Sequence, residues 1–222
     1  MLAGTLSLAA GCAPLQRFSN ETYYYFDFSG THAPKNSVNG RITVNSVNDE
    51  CWILSSSIIT RDMPRAFKIA ADDADRRGCS STWVILGSHG GEAWPAMQIG
   101  TMVRSRGYNT SVMKIGGHCS SACGLIFISG VRREVPDSLI NSRIGFHQPA
   151  VTGPDGKKIC QQIDSKASAM LLLFAKSKLP GAAAEKFHKK AIETECSDMT
   201  YIGPEELFES GIATGIGGPS TF

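Results

Sequence analysis

Apolar runs of strand length alternate with stretches whose apolar residues recur at helical spacing over most of the chain. Trp52-Ile53-Leu54 and Ser57-Ile58-Ile59 form a strand candidate. Thr60 or Asp62 then caps a helix through about Arg77, with Phe67, Ala70, Ala71 and Ala74 on one face and Gly78 as its stop. Trp83–Leu86 is a continuous apolar run, the pattern of a strand covered on both faces. A helix from about Glu92 to Arg106 follows, placing Ala96, Ile99 and Val103 together, with Pro95 tolerable in its first turn and Gly107 at its end. A strand over 110–115, a helix over 121–129 and a strand over 143–147 continue the alternation. Two helices, about 160–178 and 182–194, are separated by Pro180-Gly181, and a last short helix over 204–210 ends at Gly211 before a short strand. Strands alternating with helices predict a mostly parallel sheet with right-handed crossovers.

The first fifty residues differ. Residues 13–50 are rich in Ser, Asn, Gly and Tyr and show little helical period. They read as a tether and irregular β start, with strand candidates at Tyr23–Phe28 and Gly40–Val44. The Gly/Pro-rich residues 215–222 read as a loose tail, so 51–214 is the single α/β domain.

Composition changes this picture in two ways. With 42% hydrophobic and 19% charged residues and a net charge of +2, the chain has no basic face for nucleic acid. The pairs Arg76-Arg77, Arg132-Arg133 and Lys189-Lys190 read as solvated surface. The N-terminus carries the second change. Met1–Gly11 is uncharged, and Leu8-Ala9-Ala10-Gly11-Cys12 resembles a bacterial lipobox, with Cys12 as the lipidated residue and 1–12 as a processing segment. No Lys or Arg precedes the apolar stretch, which a true N-terminus upstream of Met1 would explain. Seven cysteines less Cys12 leave six, at 51, 79, 119, 123, 160 and 196, an even set that suits disulfides in an exported protein. Buried thiols are the alternative reading. His118-Cys119-x3-Cys123 lacks a second ligand pair at metal spacing, so no metal is expected.

The chemistry concentrates in three pieces. Trp83-Val84-Ile85-Leu86-Gly87-Ser88-His89-Gly90-Gly91 runs an apolar strand into a Gly-Gly turn. Gly117-His118-Cys119-Ser120-Ser121-Ala122-Cys123-Gly124 crowds small residues around a hydroxyl, and Arg143–Pro149 delivers a histidine from a short strand. In that order and spacing they resemble the proteolytic subunit of the Clp protease and its relatives. That family runs from a Ser-Pro-Gly-Gly turn through a small-Ser-small nucleophile turn to a strand ending His-Gln-Pro. The likeness spans roughly 81–214, and Cys119-Ser120-Ser121-Ala122-Cys123 resembles the Cys-x-Ser-Ala-Cys motif of a periplasmic branch.

The resemblance implies the α/β spiral of the ClpP/crotonase superfamily, built of repeated β-β-α units, and a serine peptidase without cofactor. Ser121 would be the nucleophile, His147 the base, and the N–H groups of Gly91 and Ala122 the oxyanion donors. The acid lies in the family shortly before a stretch matched here by Gly203–Ile212. The match is offset by one residue, with Met199 in strict register, so Asp198 is the expected acid and Glu195 its substitute. His89 replaces the family's Pro, placing a titratable group beside the site; His32, His118 and His188 read as surface residues.

Cys160–Cys196 would tie the region after His147 to the segment bearing the acid, and Cys119–Cys123 would rigidify the nucleophile turn. Cys51 and Cys79 complete the set. The expected substrate is a peptide or unfolded protein, the expected location the periplasm or the outer membrane of a Gram-negative bacterium through Cys12, and homo-oligomers are usual in the family. Two other readings remain: a catalytically silent scaffold lipoprotein of the same fold, and a crotonase-like acyl-CoA enzyme.

Overall fold

The computed structural model describes residues 22–25, 41–47, 49–114, 117–137, 142–152, 158–160 and 165–219. Cys12 and the lipobox lie outside the described residues, as do residues 26–28 of the first strand candidate. In chain order the elements are β1 (Thr22–Tyr25), β2 (Arg41–Val47), β3 (Glu50–Ser55), α1 (Met63–Arg77), β4 (Ser81–Leu86), α2 (Ala93–Ser105), β5 (Asn109–Val112) and β6 (His118–Ser120). They continue with α3 (Cys123–Phe127), β7 (Arg133–Val135), β8 (Arg143–Phe146), β9 (Val151–Thr152), β10 (Lys158–Ile159), α4 (Ser165–Lys178), α5 (Gly181–Glu193), β11 (Thr200–Ile202), α6 (Pro204–Glu209) and β12 (Gly215–Ile216).

The main sheet has seven strands in the order β1-β2-β3-β4-β5-β7-β12. Its first three strands pair antiparallel, and every pairing from β3 to β12 is parallel. A smaller sheet runs β11-β8-β6, and β9 pairs with β10. The two larger sheets are filled in turn. After β5 comes β6 in the small sheet and then α3; after β7 comes β8, and the helices α4 and α5 follow. The earlier turns keep a rudiment of the same step, because Ile59 after β3 bridges Gly91 after β4 in parallel. This is the α/β spiral with repeated β-β-α units expected from the sequence.

The core explains the local choices. Helix α1 buries Phe67, Ala70, Ala71 and Ala74 as the period predicts, and stops where Gly78 takes a left-handed φ of 66°. Burying a side chain such as Phe67 contributes about 1.5–3 kcal/mol. Helix α2 buries Ala96, Ile99 and Val103 toward the same core. On the other face of the sheet Trp52, Trp83 and Ile85 form a second cluster, and Arg132 lies over the Trp83 ring at 5.0 Å. Among the described residues no helix is long and apolar enough to cross a membrane.

Several elements differ from the sequence expectation. The helix expected over 121–129 is only Cys123–Phe127, because Ser121 sits at φ 55°, outside helical backbone. The two strand candidates of the first fifty residues do appear, as β1 and β2, and extend the main sheet. The tail read as loose begins with β12, and Gly217 N–H donates to the Val135 carbonyl at 2.9 Å. Strands β6, β7 and β11 had no sequence signal, being three residues long and partly polar. In β7, Arg133 is buried rather than solvated: it donates to the carbonyls of Ile212, Gly130 and Val131 at 2.8–3.1 Å. Burial, with Arg104 nearby, pushes its guanidinium down to about 10.

Candidate active site

The small sheet positions the nucleophile turn. Strand β6 lies parallel to β8 in the register His118↔Arg143, Cys119↔Ile144 and Ser120↔Gly145. Ser121 continues this line by donating its N–H to the Gly145 carbonyl at 2.8 Å, then turns at φ 55°. A β-carbon costs free energy in that left-handed region, and non-glycine residues held there cluster at functional sites. The turn is held from inside by the Cys119–Cys123 disulfide, both of whose residues are fully buried, and by Gly124 N–H donating to the Ser121 carbonyl at 2.9 Å.

The Gly-Gly loop after β4 closes over this turn. A β-carbon on Gly90 would lie 2.6 Å from the Ser120 carbonyl oxygen and 2.8 Å from Ser121 Cβ, and one on Gly91 would lie 2.1 Å from the Ile59 carbonyl oxygen. Only glycine fits at either place. Buried Ser88 fixes the loop: its hydroxyl donates to the Ser57 carbonyl at 2.5 Å and accepts the Gly90 N–H at 3.1 Å. Its carbonyl accepts the Ser120 N–H at 2.9 Å. The Ile59–Gly91 bridge uses the Ile59 and Glu92 N–H groups. The N–H groups of Gly91 and Ala122 are left without an acceptor among the described residues. A β-carbon on Gly90 would lie 3.2 Å from Ala122 N, so the Gly-Gly loop and the second donor are neighbours. Because α3 is so short, these two individual N–H groups, rather than a helix dipole, are what an oxyanion would meet.

His147 follows β8 and is half-buried. Its Nδ1 lies 2.6 Å from the Gln148 carbonyl oxygen. A carbonyl can only accept, so Nδ1 carries the proton and Nε2 is the acceptor nitrogen of the neutral ring, as a general base requires. Gln148 is itself clamped, its N–H to the Thr194 carbonyl at 2.8 Å and its Nε2 to the Ile192 carbonyl at 2.6 Å. No hydrogen bond joins His147 to Ser121 among the described residues.

Asp198 makes no hydrogen bond to His147 among the described residues. It is exposed in the turn before β11, its N–H donating to the Glu195 carbonyl at 3.0 Å. Neither carboxylate, Asp198 nor Glu195, holds a hydrogen bond or ion pair among the described residues. The antiparallel register Thr200↔Phe146 puts Met199, not Asp198, opposite His147 when extended by one step. A β-carbon on Gly145 would lie 2.7 Å from Met199 Sδ, so that side chain fills the face where the acid was expected. The remaining cysteines pair as Cys160–Cys196, linking the segment after His147 to the turn of Asp198, and as Cys51–Cys79.

Three contributors escaped the sequence reading. The Gln148 carbonyl and the Ser88 hydroxyl act through backbone geometry, which no residue pattern announces. His118, read as a surface residue, lies on the face of β6 shared with Ser120, and its Nε2 is 2.7 Å from His89 Nδ1. Burial first, then His89 and Arg143, holds the His118 ring below the ordinary histidine value. Strand β6 is three residues long, too short for a period that would have announced it.

No family model matches the chain, and no curated protein does so. Solved structures do. A membrane-bound stomatin-specific protease, 1510-N, in complex with a substrate peptide superposes with a TM-score of 0.58 at 17% identity, covering 74% of this chain and 72% of that one. A second mutant of that protease gives 0.56 at 16%, with 72% and 74% covered. An enoyl-CoA hydratase from Mycobacterium marinum gives 0.53 at 14%, with 79% and 76% covered. These place the chain in the ClpP/crotonase fold.

Proposed function

We propose that this protein is an exported serine peptidase in which Ser121 attacks a peptide carbonyl. The observation that carries the reading is Ser121 itself, held at a left-handed φ between the Gly145 carbonyl and the Gly90 backbone, beside two N–H groups that have no acceptor among the described residues. Ser121 Oγ adds to the carbonyl carbon while His147 Nε2 takes its proton. The oxygen, now negative, is met by Gly91 and Ala122 N–H. Collapse breaks the C–N bond, the proton passes from His147 to the leaving amine, and water then hydrolyses the acyl-serine by the same route in reverse order. The Gln148 carbonyl holds the tautomer. Asp198 is the proposed acid of the triad, and in this arrangement it acts from solvent, stabilising the imidazolium at longer range.

The substrate proposed is a peptide or an already unfolded chain. The three disulfides support an exported location. The lipobox-like Leu8–Cys12 supports a lipid tether in the periplasm.

Fluorophosphonate labelling of the oxidised protein, with sequencing of the tagged peptide, tests the reading. Modification at Ser121 is expected, lost in Ser121→Ala and reduced by on the order of 10³-fold or more in His147→Ala. A folded protein that is never labelled would sink the hydrolase reading and favour the silent scaffold, whose supporting observation is that Asp198 makes no hydrogen bond to His147 among the described residues. Binding of an acyl-CoA without labelling would favour the crotonase-like alternative.

A further inference from the structure

Beside the nucleophile turn one face of the small sheet gathers a guanidinium and two imidazoles. In β6 and β8, His118 and Arg143 are direct partners in a parallel register, and Cys119 and Ile144 point the other way into the core. His89, from the Gly-Gly loop, meets His118 ring to ring at a centroid distance of 4.1 Å. The Arg143 guanidinium lies over the Tyr201 ring at 4.0 Å, which fixes its direction without neutralising it. Among the described residues no carboxylate bonds to His89, His118 or Arg143. Ser120 Oγ, in a residue only 1% exposed, lies on the same face and has no hydrogen-bond partner among the described residues.

His118 Nε2 and His89 Nδ1 lie 2.7 Å apart, so one ring donates to the other, and the remaining ring N–H and the Arg143 guanidinium are the donors an anion would meet. The cluster adjoins the reaction centre through two short backbone paths. His89 precedes Gly90, which touches Ser121, and Arg143 lies two residues before Gly145, whose carbonyl holds the Ser121 N–H. One extended peptide residue spans about 3.3–3.6 Å, so a group bound there belongs to a residue next to the scissile bond or one beyond it.

We propose that His89, His118 and Arg143 form an anion subsite that binds a substrate carboxylate beside Ser121. The inference names the substrate class of the site proposed above and rests on that reading. Two sources share this chemistry: the C-terminal carboxylate of a short peptide and an Asp or Glu side chain within a longer one.

The test is a titration of the oxidised wild-type protein with short peptides of one sequence, followed by NMR of the histidine ring protons. The C-terminus is free or amidated, and the residue beside it is Glu or Gln. Removing the carboxylate that matters should weaken binding by about tenfold or more. Amidation having that effect identifies the terminal carboxylate, and Glu to Gln identifies the side chain. The discrimination should disappear in Arg143→Gln and in His118→Gln, and should fade as salt is raised. Equal affinity for charged and neutral peptides, no ring shift with any peptide, or discrimination that survives Arg143→Gln would each overturn the proposal. Fluorophosphonate labelling of the wild-type protein, measured in parallel, reads the nucleophile alone. Labelling without discrimination removes the subsite and leaves the peptidase. Discrimination without labelling removes the peptidase and leaves the subsite.

Discussion

The two flanks of His147 are built to different standards. On the side of the proposed nucleophile the turn is held by several independent contacts. Ser121 is pinned by the Gly145 carbonyl, Gly90 has no room for a β-carbon, Ser88 is bonded in three directions, and a disulfide closes the bend. On the acid side Asp198 is exposed, and the position facing His147 belongs to Met199. The orienting hydrogen bond comes instead from the Gln148 carbonyl, which α5 holds in place. The contrast teaches where this site stores its preorganisation. In the proposed mechanism, oxyanion stabilisation, usually the largest single catalytic effect, is the part fixed in advance. Stabilisation of the imidazolium is left to a neutral carbonyl and a solvated carboxylate.

The comparison is broken most severely at Gly90. Gly90→Ala must move either the Ser120 carbonyl or the Ser121 side chain and adopt φ 98°, so Ser121 labelling should fall by on the order of 10²-fold or more. Labelling rates beside a circular dichroism melt will show it, and a folded Gly90→Ala protein labelled at the wild-type rate would refute the close-approach argument. The disulfides give the next contrast. Replacing Cys160 and Cys196 by Ala opens a loop spanning 36 positions and should cost about 4 kcal/mol in urea unfolding. The Cys119–Cys123 loop spans 4 and should cost about 2 kcal/mol, yet it should depress labelling more, because it holds the turn.

Ser88→Ala leaves the Ser57 carbonyl and the Gly90 N–H without their shared hydroxyl, with an expected stability loss of about 1–3 kcal/mol. As a positioning residue it should lower kcat by about tenfold with KM little changed, since the donors it aligns act most strongly on the transition state. A change confined to KM would assign Ser88 to substrate binding instead. The smallest effect is expected at the acid. Asp198→Asn should reduce labelling by less than about tenfold, in keeping with a charge acting through solvent. A loss as large as that of His147→Ala would show that Asp198 turns inward during reaction.

The repeating alternation of strands and helices was legible because α1, α2, β3 and β4 each bury a regular face in one core. The Gly-Gly loop and Ser121 were legible because close backbone approach admits few residue types. What escaped were features set by tertiary contact. Strand β7 hides a buried arginine whose polar head is satisfied by three carbonyls, so its composition reads as surface. Strands β6 and β11 are three residues long, too short for any period to declare itself. The offset of one residue at Asp198 was visible in the sequence, but its consequence depends on the pairing of β11 with β8.

The order of the bridges along the chain has a consequence for how the protein is made. Cys51 pairs with Cys79, Cys119 with Cys123, and Cys160 with Cys196, so every bridge joins neighbours in the series and none straddles another. In the export proposed above, a chain threaded out N-terminus first presents each pair complete before the next begins. A simple oxidant can therefore form the native set as the thiols emerge, without an isomerase to undo crossed pairings. In the proposed lipoprotein, acylation would withdraw Cys12, which precedes these six, from the exchange.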